Sequence, residues 1–237
     1  MSGTCHTVAM NPAKLSSDLG ALFPLGAVAA DLRGPGDPAL LLPEEAAHLG
    51  RSVPARVKEF AAGRLCARRA LAEFGVVDFA IRVGGDRQPQ WPDSMTGSIT
   101  HTSHFCAAVV AERRCAASLG LDSEVVGDVK PEIWSRICGP QENDWVRSLP
   151  HAEQAAAVTL IFAVKEAFYK CQYPVVRERL IFADARIDVV RWGNSSGTLE
   201  IHATRPVEIA RHTDMPLQGH YLFHEGRVSA GVALPAQ

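Results

Sequence analysis

The stretch "HAEQAAAVTLIFAVKEAFYKCQYP", residues 151–174, restricts most what this chain can fold into. It reads as one strong helix, with Pro174 expected beyond its end. Phe162, Val164, Ala167 and Phe168 mark the helix for burial, yet Lys165, Glu166 and Lys170 stand among them. Helical positions four apart are about 40° out of phase, so Phe162, Glu166 and Lys170 share a stripe while Lys165 points about 100° away from Glu166. A Glu–Lys pair on a solvated face, worth a few tenths of a kcal/mol, is the plain reading. The other reading needs a second acidic stretch.

"GLDSE", residues 120–124, provides one. Side chains on a strand alternate, so Asp122 and Glu124 would project from one face at a strand's end. Two adjacent carboxylates repel unless a cation stands between them. A surface turn accommodates Asp-Ser-Glu as well. A hard divalent cation such as Mg²⁺, which takes oxygen ligands and few of them from protein, is the functional alternative. Joined to Glu166 and Lys170, the pair outlines a Mg²⁺–phosphate site, with Glu166 as a third carboxylate.

Basic residues upstream would hold the phosphate. Arg64 and Arg68 fall on one face of a helix read from "VPARVKEFAAGRLCARRALAEFG", with Arg56 near its start and Gly75 as its terminator. Arginine matches phosphate with a planar fork. "GSITHT" adds Ser98, Thr100 and His101 as short donors beside a glycine. A solvated basic face and an interior histidine are the ordinary alternatives. The net charge of −2 gives no electrostatic footprint for nucleic acid, so any anionic ligand must be held by a local cluster.

The remaining segments complete an α+β pattern. A strand, a Gly/Pro loop and a helix start lie before residue 46, and residues 84–97, rich in turn formers, read as an ordered loop or a pair of tight turns. "SITHTSHFCAAVVAERRCAASLGLDSE" reads as two strands joined at Glu112–Arg114. A polar helical region spans 131–149, and the chain ends in strands with a hairpin turn at Glu225–Gly226. Each half offers a long helix, strand material and a hairpin, a hint of duplication. No P-loop or GxGxxG pattern occurs, and the GxSxG spelling in "GNSSG", residues 193–197, runs into a strand-like stretch rather than a helix and so makes no nucleophile elbow; P-loop NTPases, standard Rossmann dehydrogenases and α/β-hydrolases are set aside. The first fifteen residues lack an apolar signal core and no segment reaches membrane-spanning length, so a cytoplasmic protein is expected. The six cysteines show no CxxC pairing and read as reduced core residues, and His101, His104, Cys106 and Cys115 lack the compact pattern of a zinc site.

Four segments in order, "RVKEFAAGRLCARRAL", "RQPQWPDSMTGSITHT", "LGLDSE" and "FAVKEAFYK", resemble the 4′-phosphopantetheinyl transferases. The likeness covers most of the chain and is to the longer bacterial type that activates carrier proteins of siderophore, nonribosomal-peptide and polyketide synthesis. It implies two similar α+β halves, here 1–117 and 118–237, closely packed with the active site in the cleft between them. It implies transfer of the 4′-phosphopantetheine group of coenzyme A to a serine of an acyl or peptidyl carrier domain, releasing adenosine 3′,5′-bisphosphate. Asp122, Glu124 and Glu166 match the residues that hold Mg²⁺. Glu166 or a metal-bound water would be the base, and Lys170 lies beside the reacting phosphate. Lys165 matches a lysine close to the coenzyme, Arg56 and Arg64 match residues for its nucleotide, and Thr100 and His101 lie at its 3′-phosphate. Arg87 belongs to the loop around the adenine end. The implied partners are coenzyme A and carrier domains, with neither nucleic acid nor membrane, and two halves completing one site suit a monomer. A coenzyme A-binding module without catalysis and a Mg²⁺-dependent nuclease are the alternative readings.

Overall fold

The computed structural model describes residues 18–236 other than 103 and 194; Cys5 and the N-terminal stretch read above lie outside them. Two antiparallel sheets, each covered by one long helix, form the molecule. In the first sheet the strands are β1 (Val28–Arg33), β2 (Met95–Thr102) and β3 (Phe105–Glu112), in the order β1-β3-β2. A short helix α1 (Pro43–Ala46) leads to α2 (Pro54–Ala72), which packs on this sheet. The buried face of α2 is built from small residues, Ala61, Ala62, Cys66, Ala67 and Ala70, so helix and sheet approach closely.

β3 explains why "FCAAVVA" is apolar at every position. Cys106, Ala108 and Val110 join the core beneath α2, while Phe105, Ala107, Val109 and Ala111 join a second core on the other face. A strand covered on both sides has no reason to alternate.

The second sheet runs β4-β8-β7-β6-β5, from β4 (Ala116–Val125), β5 (Ala185–Val189), β6 (Ser196–Ala203), β7 (Leu217–His224) and β8 (Arg227–Pro235). Between β4 and β5 come α3 (Trp134–Ile137), α4 (Pro140–Ser148) and α5 (His151–Val176). α5 crosses β4 and β8 and supplies Ala157 to Cys171 to the largest core. β4 begins at Ala116, two residues before the boundary expected at 117/118.

Three expectations need correction. Residues 98–124 form three strands rather than two: β2 and β3 are a hairpin whose ends pair at Thr102 and Phe105, with His104 in the left-handed region at φ 60°. Asparagine and glycine, the usual signal for such a turn, are absent there. Pro174 lies inside α5, in its last turn, and the helix stops at Arg177, whose φ of 57° is left-handed. Proline in the last turn forfeits one helical hydrogen bond and leaves the preceding turns intact. The 131–149 region breaks at Gly139–Pro140 into two helices. Cys66, Cys106, Cys115, Cys138 and Cys171 are free thiols.

Candidate active site

Gly120 sets the site. Residues 118, 120 and 122 of β4 face α5, and a Cβ on Gly120 would fall on the main-chain oxygen of Ala167 and meet Cys171 Cβ at 2.8 Å. One step back, Ser118 Oγ donates to the Cys171 carbonyl at 2.6 Å. The helix therefore rests on the strand at Ala167, whose helical neighbours Glu166 and Lys170 are carried to Asp122. Lys170 Nζ lies 2.6 Å from Asp122 Oδ1 and also donates to the Leu121 carbonyl at 3.3 Å.

The three expected carboxylates sense one another. Glu124 is pushed well above the usual carboxylate range, first by burial and then by the charge of Asp122. Glu166 moves the same way for the same two reasons, with Lys170 opposing. Among the described residues, no three His, Cys, Asp or Glu side chains stand together as a ready metal cluster. Asp122 nevertheless is 5 % exposed, and its Oδ2 is buried with no hydrogen-bond partner. A buried acceptor left unused costs about 1–3 kcal/mol. An all-oxygen donor set with such an atom fits a hard divalent cation.

Lys170 also lines a cleft of about 920 Å³ between the halves, whose walls do not include Asp122, Glu124 or Glu166. Arg87, Arg82 and Trp91 line one wall, and Tyr169, Lys170 and Tyr173 of α5 line the other with Arg177 just past the helix end. Arg87 sits in the left-handed region at φ 64°, within a turn closed by Arg87 N–H donating to the Gly84 carbonyl at 2.9 Å. Trp91 lies over Gly97, where a Cβ would fall 2.6 Å from the Val109 carbonyl oxygen and 2.8 Å from the indole ring, so the glycine of "GSITHT" leaves room for both. Sequence reasoning missed Tyr169 and Tyr173, whose rings stack at 5.3 Å; their spacing of four in "YKCQY" was the available signal. It also missed the arginines Arg82, Arg113 and Arg177, which no local pattern groups together. An apolar recess of about 300 Å³ adjoins Glu166, walled by Phe168, Tyr169, Leu180, Ile181, Phe182 and the stem of Lys165.

The other expected residues separate into distinct places. Arg56 Nη1 and His101 Nε2 meet at 2.8 Å on the α2 side of β2, apart from the cleft walls. The His101 pKa is lowered, first by burial and then by the Arg56 charge. Arg64 is not a free phosphate fork: it is buried, lies over the Phe60 ring at 4.0 Å and donates from Nε to the Ile81 carbonyl at 2.8 Å. Its burial brings its pKa down to about 10. Arg68 is committed to the buried carboxylate of Glu45. Thr100 is 1 % exposed and bonded within the protein. Lys165 offers no ammonium to the cleft, because Nζ donates to Glu142 Oε2 at 2.8 Å, the Ile137 carbonyl at 2.8 Å and the Phe182 carbonyl at 2.9 Å. A lysine has three donors, and all are used.

The family model described as 4′-phosphopantetheinyl transferase N-terminal domain matches residues 44–111, and that of the 4′-phosphopantetheinyl transferase superfamily matches 118–222. The chain is 36 % identical to 4′-phosphopantetheinyl transferase Svp of Streptomyces mobaraensis over 224 residues, 92 % of this chain and 89 % of the relative. It is 40 % identical to 4′-phosphopantetheinyl transferase PptT of Mycobacterium tuberculosis over 148 residues, covering 62 % and 64 % of the two chains. Enterobactin synthase component D of Escherichia coli is 34 % identical over 125 residues, 52 % and 56 % of the respective lengths.

Proposed function

The chain belongs to the 4′-phosphopantetheinyl transferase superfamily, and on that premise we propose that the corner joining β4 to α5 is where phosphopantetheine leaves coenzyme A for a carrier-protein serine. The protein is a transferase of the longer type associated with nonribosomal-peptide, polyketide and siderophore synthesis. One observation carries the placement of the chemistry: Asp122 and Lys170, 48 residues apart, meet at 2.6 Å, Lys170 also lines the cleft, and Asp122 Oδ2 is left unpartnered.

In the proposed reaction the serine oxygen bonds to the β-phosphorus of coenzyme A, the one bearing pantetheine. The bond from that phosphorus to the bridging oxygen breaks, and adenosine 3′,5′-bisphosphate departs. Asp122, Glu124 and Glu166 would hold Mg²⁺, which when bound supplies charge neutralisation at the diphosphate. Glu166 takes the serine proton. Lys170 stabilises the departing phosphate oxygen. Arg87 and its turn receive the nucleotide, whose base the faces of Trp91 and Tyr173 suit. Arg56 and His101 take the 3′-phosphate, and the apolar recess beside Glu166 receives the pantetheine arm. Lys165 contributes its stem there and not its charge. No described helix is long and apolar enough to cross a membrane, and we place the enzyme in the cytoplasm, acting as a monomer.

Incubation with coenzyme A, Mg²⁺ and several apo carrier domains, followed by intact mass, tests this. The expected result is a gain of one phosphopantetheine on the carrier. Bound coenzyme A without any gain would reduce the protein to a coenzyme-binding module.

A further inference from the structure

β2 and β4 belong to different sheets, yet they lie side by side, and hydroxyl groups join them where main-chain rungs would be expected. Ser98 Oγ accepts the Leu121 N–H at 3.0 Å, and Thr100 Oγ1 accepts the Ser123 N–H at 3.0 Å. The alternation in "SIT" is thus a pair of side-chain rungs with strand period. The second rung does more. Its hydroxyl hydrogen goes to Asp122 Oδ1 at 3.1 Å, the same oxygen that receives Lys170 Nζ at 2.6 Å. Oδ1 is therefore held by two donors from two elements, while Oδ2 is buried and has none.

We propose that Thr100 is a positioning residue for Asp122: its hydroxyl, fixed by the Ser123 amide, commits Oδ1 and so presents Oδ2 to the divalent cation. It rests on the reading that Asp122 holds that cation. The assignment replaces the 3′-phosphate role expected for Thr100, because a hydroxyl that is buried and bonded at both ends has nothing to offer a phosphate. Valine in its place would keep the shape and lose both bonds. The Asp122 carboxylate would then rotate about its last torsion, held at Oδ1 by Lys170 alone.

The test compares the full chain with Thr100→Val and Thr100→Ser, using Mn²⁺ as a paramagnetic probe in the presence of coenzyme A. Loss of an outer partner of a metal ligand costs about 10–100-fold in metal affinity. Thr100→Val should weaken Mn²⁺ binding by that factor, and Thr100→Ser should restore it. Coenzyme A affinity in metal-free buffer should be unchanged in both, and raising Mg²⁺ should recover kcat in Thr100→Val without moving KM for coenzyme A. Should Thr100→Val not fold, Thr100→Ala removes the same hydroxyl without added bulk and is held to the same result. Unaltered Mn²⁺ affinity in the hydroxyl-free variant overturns the proposal, as does a metal-free loss of coenzyme A affinity that spares the 3′-dephospho form. A wild-type protein that binds no Mn²⁺ overturns the cation reading itself, and this inference with it.

Discussion

Lys165 Nζ and Glu142 Oε2 are 2.8 Å apart with both side chains almost wholly buried. Glu142 also accepts the Gly139 N–H at 2.6 Å, which begins α4, and through Oε1 the Ile187 N–H at 2.8 Å on the edge strand β5. The ion pair thus ties α4, α5 and β5 together behind the corner where α5 meets β4. The first lysine of "KEAFYK" holds the helix in place; the glutamate and second lysine lie towards Asp122.

Lys165→Met should therefore act on stability more than on coenzyme binding. Removing one partner of a buried pair leaves the other charge uncompensated and costs about 3–5 kcal/mol. Urea unfolding should show that loss at neutral pH, with KM for coenzyme A within about twofold for the protein that remains folded. A large KM change at undiminished stability would return Lys165 to the coenzyme.

Gly120→Ala should separate α5 from β4. The added methyl meets main-chain atoms of Ala167, which cannot swing aside as a side chain would. Overpacking of this kind costs about 1–3 kcal/mol. Because the displaced turn carries Glu166 and Lys170, kcat should fall more than stability alone explains. Steady-state kinetics at a temperature well below the melting transition checks this.

What was legible in the sequence was what period and spacing dictate. Asp122 and Glu124 lie on one face of a strand because strands alternate, and Glu166 and Lys170 lie one turn apart because helices repeat. Their meeting required a further fact, Gly120, whose missing side chain lets helix meet strand. The basic residues were less legible, since charge does not reveal its partner: Arg64 and Arg68 lie in sequence like phosphate ligands but answer to the Ile81 carbonyl and the Glu45 carboxylate. Thr100 was misassigned for the same reason. A hydroxyl next to a glycine suits a phosphate pocket, and only the position of β4 shows that both its bonds are spent within the protein.

Glu166→Gln keeps size and polarity but cannot accept the serine proton. Transfer should fall by about 10²–10⁴-fold, the usual contribution of a general base. Thermal unfolding should be unchanged or slightly improved, because a buried carboxylate repelled by Asp122 is replaced by a neutral amide. Near-normal kcat at saturating Mg²⁺ would remove Glu166 from the chemistry.

The last prediction concerns proton uptake at His101. Burial and the Arg56 guanidinium hold its pKa below the ordinary 6.5, so the free enzyme carries a neutral imidazole at pH 7. The sign for stability follows. Below 6.5 the unfolded chain takes up this proton first, so His101 weakens the fold as pH falls from 6.5 through the lowered value, and has no effect above. A phosphate dianion beside Arg56 reverses the local field and favours the imidazolium. NMR titration of the His101 ring should show a low pKa in the free protein. Coenzyme A should raise it and the 3′-dephospho form should not. Correspondingly, His101→Ala should raise KM for coenzyme A more than for the 3′-dephospho form, and the gap should widen as pH drops below neutrality. Identical titration curves with both ligands would place the 3′-phosphate away from Arg56, within the cleft that Arg82, Arg87 and Arg177 line.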